Sequence, residues 1–248
     1  MFQFGVGGMY GNPIAGGNNA TPSFTQRFGT IQDVSIEFSQ KLEKLMGQSK
    51  APDDIAASDM EFKGTASFAK IEVDIYNSLF FGDTITAGSK NFVDAENHTA
   101  AAANFVVTNN NTFVQNLGLR YAATGATLEQ VPSGNEATGK YSCNNSTGTY
   151  TLGGNDASNN VVFLVSYIYT IISGKTMTVM NHLQGYSPVF ELYLSQSYQN
   201  PGNGLHLYRC KSSKMGAPMK RAGYMISAFE FEAFANAAGQ IMDVFQVS

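Results

Sequence analysis

The sequence predicts a mainly β protein with one flanking α-helix, and three observations carry that expectation. Apolar and polar residues alternate with a period of two around residues 33–38, 60–67 and 229–233, the pattern of strands with one dry and one wet face. Turn-forming clusters such as NNN, PSGN, NNSTG and GGNDASNN punctuate the middle of the chain, which suits an antiparallel arrangement of short strands. A single stretch, residues 68–81, carries the four-residue apolar repeat of an amphipathic helix. At 248 residues the chain is long enough to bury a sizeable core, as one large β domain or a domain with an insertion.

Residues 1–26 are rich in Gly and Asn, and their aromatics Phe2, Phe4, Tyr10 and Phe24 are too scattered to make a core. Such a segment is either a disordered tail or an arm that orders on a neighbouring subunit with the aromatics as anchors. Residues 29–45 then alternate, with Val34, Ile36 and Phe38 on one side and Asp33, Ser35 and Glu37 on the other. A second short strand is expected over residues 41–46, ended by Gly47. Pro52, Asp53 and Asp54 within residues 47–58 favour a turn and a solvated loop.

Beyond it Met60, Phe62, Gly64 and Ala66 alternate with Glu61, Lys63, Thr65 and Ser67, so a strand runs directly into the helix. There Ile71, Ile75 and Leu79 form the stripe, Lys70, Glu72, Asp74 and Asn77 the opposite side, and Gly82 the left-handed stop.

After Gly82 comes a thin region of small and polar residues. Six short runs follow, NFVV, LGLRYA, TLEQV, GKYSC, TYTL and VVFLVSYIYTII, and suggest a small antiparallel sheet inserted into the main domain or extending it. The division is then residues 1–26 as arm, 27–99 with 174–248 as the main β domain, and 100–173 as a β-rich insertion. The last part supplies strands in KTMTVMN, PVFELYLS and LHLYRC, a basic loop between Arg209 and Arg221, and a closing hairpin. In that hairpin Phe229, Phe231 and Ala233 alternate with Glu230 and Glu232, and NAAG turns the chain.

The composition excludes several function classes. A net charge of −4 lacks the excess of Lys and Arg that a nucleic-acid binder uses to displace counterions. Cys143 and Cys210, the only cysteines, make neither a disulfide framework nor a zinc set and are expected to be reduced. The opening MFQFGVGGMYGNP has no basic n-region and no adequate apolar run, so no secretory signal is expected. VVFLVSYIYTII falls short of the roughly 18 residues of a membrane span. His98, His182 and His206 lack metal spacing. SGKT lacks the first Gly of a phosphate loop, Tyr169 standing in its place. No nucleophile elbow or activated cysteine is present. No catalytic residue, metal or cofactor is therefore expected.

The strand feeding one helix that ends in FFG, the acidic loop before it, and the closing segment FEFEAFANAAGQIMDVFQV together resemble the major tail tube proteins of long-tailed bacteriophages. The likeness is strongest over residues 29–85 and 176–248, and Asn236 stands where that family frequently has Asp. The resemblance implies a tail-tube-like antiparallel β-sandwich or half-barrel with the flanking helix. It further implies rings of six copies that stack into a hollow tube for DNA delivery, in a virion tail built from subunits made in the host cytoplasm. Its partners would be copies of itself, a tape-measure protein, tail completion and tip proteins, and DNA passing without specific binding; none requires membrane insertion.

On that reading Asp33, Glu37, Glu230 and Glu232 are candidates for the lumen, where carboxylates repel passing phosphates. Phe2, Phe4, Tyr10, Asp53, Asp54, Lys211 and Lys214 are candidates for contacts between subunits. The basic run is either a solvated loop or a partner for the acidic loop of a neighbour. Two alternatives stand beside this: a β-sandwich receptor- or carbohydrate-binding module, against which the absence of Trp counts, and a tube subunit of a bacterial contractile secretion system.

Overall fold

The structure, a computed structural model, describes residues 7–16, 25–70, 72–100, 102–157, 160–196, 203–219 and 221–246. The chain is mainly β, with antiparallel sheets and one short helix. It divides into two compact units, Met1–Ile85 with Met177–Ser248, and Thr86–Thr176. Along the chain β1 (Gly8–Ala15), β2 (Gln26–Arg27), β3 (Ile31–Met46) and β4 (Pro52–Phe68) precede α1 (Val73–Tyr76). Next come β5 (Ile85–Ala100), β6 (Asn104–Val106), β7 (Phe113–Tyr121), β8 (Glu129–Gln130), β9 (Lys140–Asn144), β10 (Thr149–Leu152) and β11 (Val161–Met177). The chain closes with β12 (Val189–Gln196), β13 (Asn203–Met215), β14 (Ser227–Ala233) and β15 (Met242–Phe245).

The first unit is one sheet in the order β2-β1-β12-β13-β14-β4-β3, with β15 also on β13. Strand alternation turns Met9, Phe68, Phe190, Leu192, Leu207, Phe229 and Phe231 to one face, and Ile75, Tyr76 and Leu79 pack onto them. Each such side chain contributes about 1.5–3 kcal/mol by leaving water. Gly64 is needed beneath this layer: it pairs with Phe231 across β4 and β14, and a Cβ there would lie 2.1 Å from the Phe231 ring. Val34 and Ile36 of β3 line the same cavity, about 270 Å³, as Leu194 of β12 and Leu205 of β13. The sheet therefore curls until the edge strand β3 faces β12 and β13.

The helical segment is shorter than the periodicity suggests. Extended backbone persists to Phe68, α1 covers four residues, and residues Asn77–Phe81 form a π turn. The amide of Gly82 donates to the carbonyl of Asn77 five residues back, at 2.6 Å, and Gly82 has φ 71°, the left-handed conformation that glycine adopts without penalty. Asn77 explains the wide turn. Its side chain is buried, donating to the carbonyl of Asp83 at 2.5 Å and accepting from the amide of Asp83 at 2.6 Å. Ile71 of the expected stripe lies outside the described residues.

The second unit has two sheets, β6-β10-β9-β8 and β5-β11-β7. Its core is aromatic: Tyr141, Tyr150, Phe163 and Tyr167 are almost fully buried together with Val165 and Leu119. Each buried hydroxyl has a partner. Asn116 donates to the Tyr141 hydroxyl at 2.8 Å and accepts from that of Tyr150 at 2.8 Å. The Tyr167 hydroxyl donates to Glu96 at 2.5 Å.

Several expectations are corrected by these strands. Part of the supposed arm, Gly8–Ala15, is β1, because its backbone pairs with β12 from Gly8↔Ser195 onward and Met9 is buried. The two strands expected within residues 29–46 are the single β3. The solvated loop shrinks to residues 47–51, since β4 begins at Pro52 and its first residues pair with β3. Asp53 and Asp54 are thus strand residues. The thin region after Gly82 contains the sixteen-residue β5, and the second unit begins at Thr86, not near residue 100. In KTMTVMN only residues 175–177 are strand, and they end β11 rather than begin a new one. The basic loop is also partly strand, because β13 runs through to Met215. The closing segment is not a paired hairpin: β14 and β15 both pair with β13.

Candidate functional surface

The face of the first sheet opposite its core carries the charged residues. Glu37, Lys63, Glu232 and Lys211 are successive cross-strand partners on β3, β4, β14 and β13, so charge alternates along one row. The next row is Ser35, Thr65, Glu230 and Lys214. Lys214 Nζ lies 2.8 Å from Glu230 Oε1, and Lys63 Nζ lies 2.5 Å from Glu61 Oε2. The hydrogen bond and charge of Glu61, followed by the charges of Glu232 and Glu37, raise the Lys63 pKa above its ordinary value. Exposed pairs of this kind contribute little to stability. Their effect is to cancel field.

The structure thus brings Asp33, Glu37, Glu230 and Glu232 onto one face, as their alternation requires. Glu37, Glu230 and Glu232 stand next to lysines, so the face is zwitterionic rather than acidic. Lys211 and Lys214 belong to this face through partners in their own subunit, which corrects the reading of them as a free basic loop. Asp53 and Asp54 are exposed near the hairpin tip, where Asp54 accepts from the amide of Ile55 at 2.8 Å. Tyr10 is on the charged side of the sheet, with the Arg27 guanidinium 5.9 Å from its ring centroid. Phe2 and Phe4 lie outside the described residues.

Further along that side the surface becomes aromatic. Tyr10, Tyr193, His206 and Asp243 are successive partners on β1, β12, β13 and β15. Tyr193 and His206 stack with centroids 4.2 Å apart, and the Tyr208 hydroxyl donates to Asp243 at 2.5 Å. Sequence reading missed this patch, although the alternation in LHLYRC already placed His206 and Tyr208 on one side.

The other unforeseen feature is the β3–β4 hairpin. β14 covers β4 only over Phe62–Phe68, while β3 and β4 continue together to Met46↔Pro52. The apolar side continues with them through Phe38, Leu42 and Met46 on β3 and Met60 and Ile55 on β4. These five are 51%, 55%, 57%, 55% and 50% exposed. Two strands without a third layer are marginal in water. Among the described residues β3 pairs with β4 alone, so the outer edge of this long strand is open.

A buried carboxylate–histidine pair has structural partners. Asp83, nearly fully buried, accepts from His182 Nε2 at 2.6 Å and from the amide of Met180 at 3.2 Å, while the Tyr186 ring stacks on His182 at 3.8 Å. This fastens residues 180–186 to the end of the π turn. Burial raises the pKa of Cys143, opposed by its bond with Tyr150, and burial raises that of Cys210; an activated thiol needs the opposite shift. Among the described residues no cluster of three His, Cys, Asp or Glu could hold a metal, and no helix is long and apolar enough to cross a membrane.

The second unit has a hollow of about 700 Å³ beside Gln130, Ser142, Thr149 and Thr151. Among the described residues no aromatic ring lines it to give the flat platform on which sugars stack. No family model matches the chain, and no curated protein matches it.

Proposed function

We propose that the protein is a structural subunit of a phage tail tube, assembling with its own copies into stacked rings that enclose a conduit for DNA. The observation that carries this reading is the unfinished hairpin: an apolar face continuous with the core runs out past the sheet on β3 and β4 and stays half exposed. A copy of the same chain laid on that face would supply the missing layer. The open edge of β3 supports the same reading, since exposed edges invite pairing and ring closure removes them. The sequence resemblance over residues 29–85 and 176–248 gives the assembly its form, with a tape-measure protein and then DNA in the lumen.

The charged face suits a wall that DNA passes without being held. Its lysines are matched by carboxylates, so counterion release on contact with phosphate is small. Function then resides in geometry and surface charge, with no catalytic step. Negative-stain microscopy of the purified chain tests the reading. Rings or tubes are expected, and Leu42→Asp with Ile55→Asp should prevent them while leaving the subunit folded by circular dichroism. Wild-type protein that stays as single particles at high concentration overturns it.

A further inference from the structure

Resting on the self-assembly reading above, we infer that the cavity between β3 and the β12–β13 pair is a receptor for the Tyr224 side chain of a second copy. The cavity measures about 270 Å³ and is walled by Val34, Ile36, Leu194, Leu205 and Val244. An apolar cavity of roughly 150 Å³ already holds a benzene ring, so one phenol fits. The rim is open: Val244 is 67% exposed. Asn203 also lines the cavity, and its Oδ1 is buried with no hydrogen-bond partner among the described residues. A buried acceptor left unpaired costs free energy until a donor reaches it. The fitting occupant is an apolar ring that carries its own donor, which in a chain without Trp is tyrosine. Leu, Met or Phe would fill the space and leave the oxygen unpaired.

The chain offers one tyrosine for this. Among the described residues only Tyr193 and Tyr224 are exposed. Tyr193 is engaged, its hydroxyl donating to Glu191 at 3.0 Å and its ring stacked on His206. Tyr224 is 86% exposed, on the connection between β13 and β14. That connection is anchored at its base, where the Gly216 amide donates to the Ala228 carbonyl at 2.8 Å and the Tyr76 hydroxyl donates to the Gly216 carbonyl. A large ring standing in water gains by leaving it. Position makes the contact intermolecular. Asn203 is the first residue of β13 and Met215 the last, so the cavity and the connection belong to the two ends of one thirteen-residue strand. Each copy then gives one tyrosine and receives one, and a head-to-tail contact of that kind propagates to a closed ring or an open stack.

The test is cross-linking of full chains. Met225→Cys and Val244→Cys are prepared separately, each with Cys143→Ser, while Cys210 stays buried. A short bismaleimide should join them into a dimer only in the mixture, since each preparation alone lacks one side of the contact, and adding Tyr224→Ala to the first chain should abolish the product. Equal dimer from either preparation alone, a product that survives Tyr224→Ala, or no product at all overturns the inference. Tyr224→Phe should raise the concentration at which assembly begins roughly tenfold, the worth of one hydrogen bond to a buried group, and should change nothing beside Asn203→Leu, where no acceptor remains. An equal effect in both backgrounds removes the hydrogen bond on which the assignment rests. Microscopy of the wild type reads the tube hypothesis separately. Tubes formed by Tyr224→Ala chains at the wild-type concentration would remove this contact and leave self-assembly standing.

Discussion

The two units solve the same problem of covering β-sheet in different ways. In the second unit two sheets of four and three strands enclose a ring-rich core whose hydroxyls all find internal partners. Asn116 alone joins Gln130, Tyr141, Tyr150 and the amide of Gly118. In the first unit a short helix covers the centre of the sheet, and the apolar face continues beyond it on β3 and β4 to half-exposed Leu42, Met46 and Ile55. The difference teaches that the second unit closes its own core, whereas the first ends in an apolar surface left open, the one that the proposed assembly would cover.

The comparison breaks most readily in the closed core. Phe163→Ala should destabilise the second unit by about 3–5 kcal/mol, seen in denaturant unfolding as one transition moving while that of the first unit stays. A single cooperative shift of both would show that the units do not fold independently. Asn116→Leu should cost about 1–3 kcal/mol, because it leaves the Tyr141 hydroxyl buried without its partner and takes from that of Tyr150 the acceptor at 2.8 Å. An unchanged midpoint would remove the network from the stability of that unit.

Acid sharpens the contrast further. Burial pushes the Glu96 carboxyl up, but hydrogen bonds from Tyr167, Thr108 and His98 outweigh it and hold its pKa below the usual carboxylate range. A carboxyl depressed in the folded state stabilises above its unfolded pKa, about 4.3, and that contribution is lost as pH falls through the lower folded value. The second unit should therefore weaken below about pH 4.3, and Glu96→Gln should flatten its profile in that window. An equal slope in the variant would assign the acid sensitivity elsewhere.

The smallest effects belong to the first unit's surface. Leu42→Lys on the hairpin should change monomer stability by under about 0.5 kcal/mol while abolishing assembly measured by sedimentation. Exchanging the exposed pair as Lys214→Glu with Glu230→Lys should be nearly neutral in both assays, consistent with about 0.2–1 kcal/mol for such pairs. A large loss from the exchange would mean that another subunit reads this pair.

How much was legible in the sequence follows the same division. Where one face of a strand is buried and the other wet, alternation reports it directly, and Val34, Ile36, Phe229 and Phe231 fall where the pattern puts them. The six runs of the second unit also correspond to β6, β7, β8, β9, β10 and β11. Alternation fails where neither face is strongly apolar, so β5, built from ITAGSKNFVDAENHTA, reads as loop. It also cannot report a partner strand: Pro52, Asp53 and Asp54 carry every local sign of a turn, yet pairing with residues 45–46 extends them. For the candidate surface, Glu37, Lys63, Glu230 and Glu232 were recognisable as outward, but their alternation of charge with Lys211 and Lys214 across strands was not. Their meeting depends on the register of four strands, which form two neighbouring pairs, β3 with β4 and β13 with β14, far apart in sequence.

The pairing of β1 with β12 sets a timetable for the chain during its synthesis. Gly8 donates to Ser195 across a sequence separation of 187, and at roughly 5–20 residues per second a ribosome needs about 10–40 s to supply the partner. The second unit lies wholly within that interval and can fold as soon as it emerges. Until β12, β13 and β14 follow, the strands on the N-terminal side wait with their apolar face uncovered, so the nascent chain is most open to chaperones, and to premature contact with its neighbours on the same message, late in translation.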